Sequence, residues 1–347
     1  MANSERCRKR YRNRCGMFLL CAAGLVPAGL IMLCASPAAA QQTPTAGLAV
    51  ERFYPSAPGG GWFVLDDIDF GGGLGGAVSV ATGFARNPLV VTSADGRQRV
   101  TLVSGEAFLD VGAAITRDRY RLYVNIPVPL TVTGNSGTLG PYQLTAPSLS
   151  VGANPDTVSD TRLGFDMRLL GKTAGKLRLG AGGQLIFPSG NRADYVTDGR
   201  YRGMFRLLAA GDADRLSWAG QIGVHVRPVE GLLPPGGPNG NEILFGAGAG
   251  RRFTVHSGWD AVVGPEFYGE RAIHSNYRGQ TGFEGLLTGR VERTGDQPHL
   301  RFKVGIGHGL VQNFGAPEWR IVAGVEMSGQ SRNRGASAGG SQQTPRN

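Results

Sequence analysis

From Ser159 to Phe187 the chain reads SDTRLGFDMRLLGKTAGKLRLGAGGQLIF, two alternating arms around a glycine-bounded turn. In the first arm Leu163, Phe165, Met167 and Leu169 alternate with Arg162, Gly164, Asp166 and Arg168. In the second, Leu177, Leu179, Ala181, Gly183, Leu185 and Phe187 alternate with Arg178, Gly180, Gly182, Gln184 and Ile186, beyond the turn Gly171–Gly175. A period of two places one set of side chains on each face of a strand. A strand half-buried in a soluble protein needs about 4–8 such residues. These arms run about 9–11, the length with which a tilted strand crosses a bilayer. The stretch predicts a transmembrane hairpin, with hydrocarbon on one face and charge on the other.

The rest of the chain repeats the pattern. Twelve strands are expected, at 75–85, 106–117, 119–130, 160–170, 176–187, 200–210, 214–227, 241–253, 258–269, 282–293, 298–308 and 318–327. Short turns at 117–119, 171–175, 211–213, 254–258 and 294–297 alternate with longer connections at 86–105, 131–159, 188–199, 228–240, 270–281 and 309–317. Outer-membrane barrels sort their loops in this way, with an even strand number. A β-sandwich has no reason to do so. The fold expected is all-β, an antiparallel up-and-down transmembrane barrel of about 12 strands, with both termini at the short-turn, periplasmic side. The 56 glycines fit a curved wall. No internal run approaches the roughly 20 apolar residues of a membrane helix.

Parity assigns the faces. Val78, Val80, Val111, Ile115, Leu122, Ile126, Phe205, Leu207, Ile222, Leu287, Val304, Ile306 and Ile321 are expected toward lipid. Arg121, Arg162, Asp166, Arg168, Arg178, Arg202, Arg206, His225, Glu266, Glu284, Arg290, Arg301, Lys303, Arg320 and Glu326 are expected toward the lumen, as the lining of any pore. Tyr120, Trp218, Phe253 and Trp259 fall at short-turn ends; Phe84, Phe187, Tyr201, Phe267, Phe283 and Trp319 fall at long-loop ends, as two interfacial girdles require.

Residues 1–40 read as a signal peptide, with six basic residues at its head, the apolar stretch Met17–Leu33 and the small residues Ala38–Ala40 at a cleavage site. All four cysteines lie in this leader, so the exported chain is expected without disulfides. The leader also carries half of the formal charge of +10. The remaining arginines are spread singly along strands, which excludes a nucleic-acid footprint. Residues 41–73 read as a periplasmic or plug segment at the mouth of the barrel, too aromatic for a linker, 74–327 as the barrel and 328–347 as a disordered polar tail.

The segments ERFYPSAPGGGWFVLDD (51–67), TGFARNPL (82–89), NPDTVSDTRLGFDMRLL (154–170), FPSGNRADYVTDGRYRG (187–203), GQIGVHVRP (220–228) and FGAPEWRIVAGVE (314–326) resemble the amino-terminal β-barrel of large OmpA-family outer-membrane proteins of the myxobacterial type. The resemblance covers roughly 48–327 and implies an outer-membrane location and barrel architecture. The calcium-binding repeats and peptidoglycan-binding domain that follow this region in such proteins are absent from the sequence, and the resemblance supplies no catalytic residue.

Function is expected to be structural or that of a passive pore, with a narrow, weakly anion-preferring diffusion channel as the alternative. Charged side chains on facing strands either pair inside a narrow barrel or set the selectivity of a pore. A membrane-embedded hydrolase is disfavoured, because Ser217 and His225 on one strand are too far apart for proton transfer and no GxSxG or HExxH is present. Asp66, Asp67 and Asp69, and the loop acids Asp156, Asp160, Asp194 and Asp198, could approach a cation, but arginine pairing and Asx turns account for them better. No enzyme activity, cofactor or metal is expected. The expected partners are outer-membrane lipid and lipopolysaccharide, with periplasmic chaperones and the barrel-assembly machinery during biogenesis.

Overall fold

The computed structural model describes residues 43–44, 47–93, 95–150, 157–229, 240–273, 281–293, 295, 298–312 and 315–330. Residues 1–40, expected to be a signal peptide, and the tail beyond Gln330 lie outside the described residues. Twelve antiparallel strands form the wall: β1 (Leu74–Thr92), β2 (Arg99–Arg117), β3 (Tyr120–Thr133), β4 (Arg162–Leu170), β5 (Arg178–Ile186), β6 (Arg202–Ala213), β7 (Leu216–Val226), β8 (Glu242–His256), β9 (Trp259–Ala272), β10 (Thr281–Arg293), β11 (His299–Val311) and β12 (Trp319–Gln330). Each pairs with its sequence neighbour, and β12 pairs with β1 from Trp319–Arg86 to Gln330–Gly75. The ring is thus a closed all-β barrel, which leaves no strand edge unpaired around it.

The twelve expected strands are all present. The alternation that identified them is the alternation of the wall. On β6, Phe205 and Leu207 are 67% and 62% exposed whereas Met204 and Leu208 are each 2% exposed. Val78, Val80, Ile115, Leu122, Ile222, Leu287, Val304, Ile306 and Ile321 likewise stand outward. An apolar band of this extent on the outside of a closed barrel requires a hydrocarbon solvent, so the strands span a membrane. Aromatic pairs border the band: Tyr120 stacks on Phe165 and Trp259 on Phe302 toward the short turns, and Phe84 meets Trp319, and Phe187 meets Tyr201, toward the long loops.

Two expectations about the ends are corrected. The connection expected at 86–105 is mostly strand. The ladder breaks register between Arg86 and Leu89, where Asn87 has φ 51°, and β1 and β2 then continue as a ribbon above the ring. The ribbon persists because it has a core of its own: Leu89, Leu102 and Val103 pack with Val132, Leu139, Leu144, Leu149, Tyr195, Val196, Leu48 and Val50. This dome sits over the long-loop end.

The second correction concerns the side from which the segment over 41–73, expected to be periplasmic or a plug, approaches the barrel: the short-turn mouth is expected, with the amino terminus on that side. Thr43–Pro44 instead pairs with Tyr142–Gln143 in the β3–β4 loop. The Val50 amide donates to the Tyr195 carbonyl in the β5–β6 loop. At the other end of the segment, Asp69 accepts from the Ala174 amide and Gly73 from the Asp118 amide, both in short turns. The chain therefore enters at the long-loop end and runs the length of the barrel before turning into β1. The carboxyl end of β12 lies at the short-turn end, as expected. The physical reason is apolar: Phe53, Trp62, Phe63, Leu65 and Ile68 are at most 2% exposed, and only the interior offers them cover.

Candidate functional site: the filled lumen

The lumen is built from two sets of residues, those pointing inward from the wall and those of the threaded segment. The segment's lower part folds on itself. The Gly60 amide donates to Ala57, the Asp67 amide to Gly60 and the Ser56 amide to Phe63. Gly61 has φ +85°, and a Cβ there would fall 2.3 Å from an Asp67 carboxylate oxygen, so this turn needs glycine on two counts.

The wall grips this turn at mid-height through Glu266. One of its oxygens accepts from the amides of Val64 and Leu65 at 2.6 and 2.8 Å, the other from Phe63 at 3.2 Å and from the Thr288 hydroxyl at 3.0 Å. Glu266 is fully buried, and four donors to one carboxylate offset much of the cost of removing it from water. Two strands along the wall, Lys303 donates to the Trp62 carbonyl at 2.9 Å and pairs with Glu326 at 2.5 Å.

Toward the short turns Arg121 binds Asp66 and also Asp166, the latter at 2.6 Å. Arg206 completes the group, donating to the Tyr123 hydroxyl at 2.9 Å and to Asp166 at 3.3 Å. Arg178 donates to the Asp67 carbonyl at 2.9 Å and pairs with Asp212 at 2.9 Å. Arg168 lies over the Phe70 ring and Arg290 over the Trp62 ring. Arg301 bridges Glu292 and Glu326. Burial pushes the Asp66 carboxyl up to about 6, against the opposing pull of Arg121. Burial and the neighbouring Asp67 also raise Asp69.

Toward the long loops Arg320 pairs with Glu51 at 2.9 Å and Glu284 at 2.8 Å, its guanidinium 4.8 Å from the centre of the Phe53 ring. Arg52 reaches Glu270 and Glu242 at 3.1 and 3.4 Å. Arg162 binds Asp110 at 2.7 Å and the Pro55 carbonyl at 3.1 Å. Arg202 binds Asp160 at 2.8 Å and the Tyr54 hydroxyl at 3.2 Å. Arg227 joins Asp198 at 2.8 Å to Glu242 at 2.6 Å. Burial works against ionisation of Asp198, but Arg227, Arg202 and Arg52 together hold it well below the usual carboxylate range.

The fifteen residues assigned to the lumen by parity lie on the inner side of the wall. Fourteen are buried, and Arg301 is partly so. The segment lies among them and fills the lumen down to a cavity at its short-turn end. Asp66, Asp160 and Asp198, weighed as cation ligands, are taken by arginine, and the Asp67 carboxylate accepts from the Asp69 amide with Arg301 3.8 Å away; Asp156 lies outside the described residues. Ser217 accepts from Arg290 and His225 faces Glu270, so the two share no contact.

Sequence reasoning missed the inward apolar positions. Leu208, Ala210, Ala219 and Val262 pack with Trp62, Leu65, Ile68 and Phe70, while Phe108, Tyr268, Leu286 and Val322 pack with Phe53, Phe63 and Val64. The signal available was the aromatic content of 51–70 beside apolar residues on lumen-parity positions. Below the plug turn a cavity of about 440 Å³ opens at the short-turn end, lined among others by Asp67, Phe70, Arg252, Arg290, Arg301 and Glu326.

No protein-family model matches the chain, and no curated protein matches it. Among solved structures, an outer membrane channel from Pseudomonas putida F1 is similar at 13% identity over 75% of this chain and 96% of that one, with a TM-score of 0.44. The NanC porin is similar at 9% identity over 72% and 98%, with a TM-score of 0.40. A toluene transporter from Ralstonia pickettii is similar at 11% identity over 81% and 95%, with a TM-score of 0.36. Likenesses of this size carry no argument about activity.

Proposed function

We propose that the chain is an outer-membrane β-barrel closed by its own amino-terminal segment, and that it offers a passive route to small solutes only when that segment is displaced. The observation that carries this reading is the grip of Glu266, Lys303, Arg121, Arg178, Arg162 and Arg320 on the segment from one end of the lumen to the other. In the closed state the protein acts as a structural element of its membrane. The outward apolar band fits lipid, and the long-loop end fits the lipopolysaccharide side if short turns face the periplasm. The resemblance to OmpA-family barrels supports the same location.

Displacement would also change the charge of the lumen. The segment brings Glu51, Asp66, Asp67 and Asp69 against the single basic residue Arg52. Without these acids the wall arginines lose partners, and the opened route prefers anions. Planar-bilayer conductance tests the reading. The intact protein is expected to be silent, and a variant lacking residues 51–70 is expected to conduct with anion selectivity. Glu266→Gln, which weakens the grip without removing the segment, is expected to show brief openings. If both variants keep the boiling-dependent shift in electrophoretic mobility of a folded barrel and stay silent, the channel reading fails and the structural role alone remains.

A further inference from the structure

One group of buried side chains is not explained by closure of the lumen. His225 on β7 lies directly across from Glu242 on β8, and Glu270 on β9 is opposite Leu244, two residues further along β8. The three inward side chains converge on one another. The His225 Nδ1 is 3.2 Å from Oε2 of Glu270 and 3.6 Å from Oε2 of Glu242, and all three ligand atoms lie within 4.8 Å of one another. Among the described residues this is the one such group of three.

A transition-metal cation bound at about 2.0–2.2 Å by tetrahedral nitrogen and oxygen ligands holds those ligands about 3.3–3.6 Å apart. The distance from Nδ1 to Glu242, 3.6 Å, lies at that spacing, and the 3.2 Å to Glu270 falls just short of it. The Oε2 of Glu242 is buried and accepts no hydrogen bond. Its Oε1 is engaged from the far side by Arg227 at 2.6 Å and Arg52 at 3.4 Å. The guanidiniums thereby fix the carboxylate with its free oxygen toward the imidazole, as outer partners of metal ligands do.

The charges agree. Arg52, Arg202 and Arg227 face Asp160, Asp198, Glu242 and Glu270, three cationic groups against four carboxylates. With a neutral imidazole one carboxylate charge has no partner, in a place where an unpaired charge is costly. Imidazole with carboxylate suits zinc and its neighbours in the first transition row. We propose that His225, Glu242 and Glu270 form a binding site for a divalent transition-metal cation, which ties β7, β8 and β9 together at the level where Arg52 enters the lumen.

The experiment uses the full-length folded protein in detergent, stripped with a chelator and titrated calorimetrically with zinc chloride, with metal analysis after gel filtration. One zinc per chain is expected. His225→Gln is expected to weaken binding about tenfold or more, and His308→Gln, which alters an exposed histidine, is expected to leave it unchanged. Zinc should also raise the temperature at which the folded band is lost in the wild type and not in His225→Gln, because a ligand bound only to the native state stabilises it. Folding of each variant is checked by its mobility before and after boiling. The proposal is overturned if folded wild type and folded His225→Gln take up the same amount of zinc. The cluster then neutralises itself with a proton held among His225, Glu242 and Glu270.

Discussion

The two faces of the barrel wall are made from the same strands, residue by residue, and obey different rules. The outer face is uniform. Leu207, Ile222, Leu287 and Val304 meet nothing specific, and any aliphatic residue of similar size would serve at each position. The inner face is particular. Arg121 works because Asp66 and Asp166 stand where they do, and Gly182 is required because a Cβ there would fall 1.9 Å from an Asp166 oxygen. The outer face tells the chain which solvent to fold in; the inner face tells it which segment to fold around. Buried ion pairs add little net stability when complete, but they make a misplaced partner expensive. They are suited to fixing the register of a threaded segment.

The contrast can be broken from either side. Arg121→Ala would leave Asp66 and Asp166 buried together, and a loss of about 3–5 kcal/mol in denaturant-induced unfolding is expected. The inner-face rule fails if the loss is negligible. Next in size, Leu207→Arg puts a charge on the outer face near the middle of its strand. A cost of about 2–4 kcal/mol is expected in lipid vesicles, and a smaller one in detergent, where the head can reach water. Equal costs in both would mean that the outward band is not set in hydrocarbon.

A smaller effect concerns pH. The folded state holds the Asp66 carboxyl at about 6, above the roughly 3.9 of an unfolded chain, so it takes up this proton first as pH falls. The stability contributed by that proton is fully present below pH 4 or so and is lost as pH rises through 6. Wild type should therefore gain on Asp66→Asn between pH 7 and pH 4, read as the difference between their unfolding midpoints. A difference that is flat with pH would remove Asp66 from the account. Smallest of all, Arg97→Ala at the exposed tip of the β1–β2 ribbon should change nothing measurable, since the Arg97–Asp95 pair is 3.9 Å long and open to water.

What was legible in the sequence follows the same division. The outer face is a one-dimensional signal: a period of two in hydrophobicity names the strands, and aromatic residues at their ends name the borders. The inward direction of Arg178 or Glu284 could be read from that period, and the closed ring from it together with the strand lengths and the alternation of short turns and long connections. Pairing could not. That Arg320 meets Glu51, or that Glu266 caps three amides of residues 63–65, depends on contacts between residues about 200 or more apart in the chain. The direction of the segment was misread for a related reason. Residues 41–73 precede the first strand, and their aromatic content marks packing at a mouth without marking a direction through the lumen. The apolar side chains of 53–70 and the dome around Leu48 and Val50 draw the chain through to the other end. The dome itself was hidden because 86–105 is rich in turn formers, and only its packing keeps it extended.

The threading of residues 47–73 has a consequence for the order of events in assembly. The seam that closes the ring joins β12, the last strand made, to β1, which follows the threaded segment directly in the chain. Once that seam is zipped, the segment could enter only end-first, past the inward side chains that are to bind it. The economical route is for the sheet to curl around the segment while the seam is still open, with Glu266 and the arginines taking hold before the last strand arrives. On that route the stopper is also a mandrel: the barrel is wound on the piece that later plugs it.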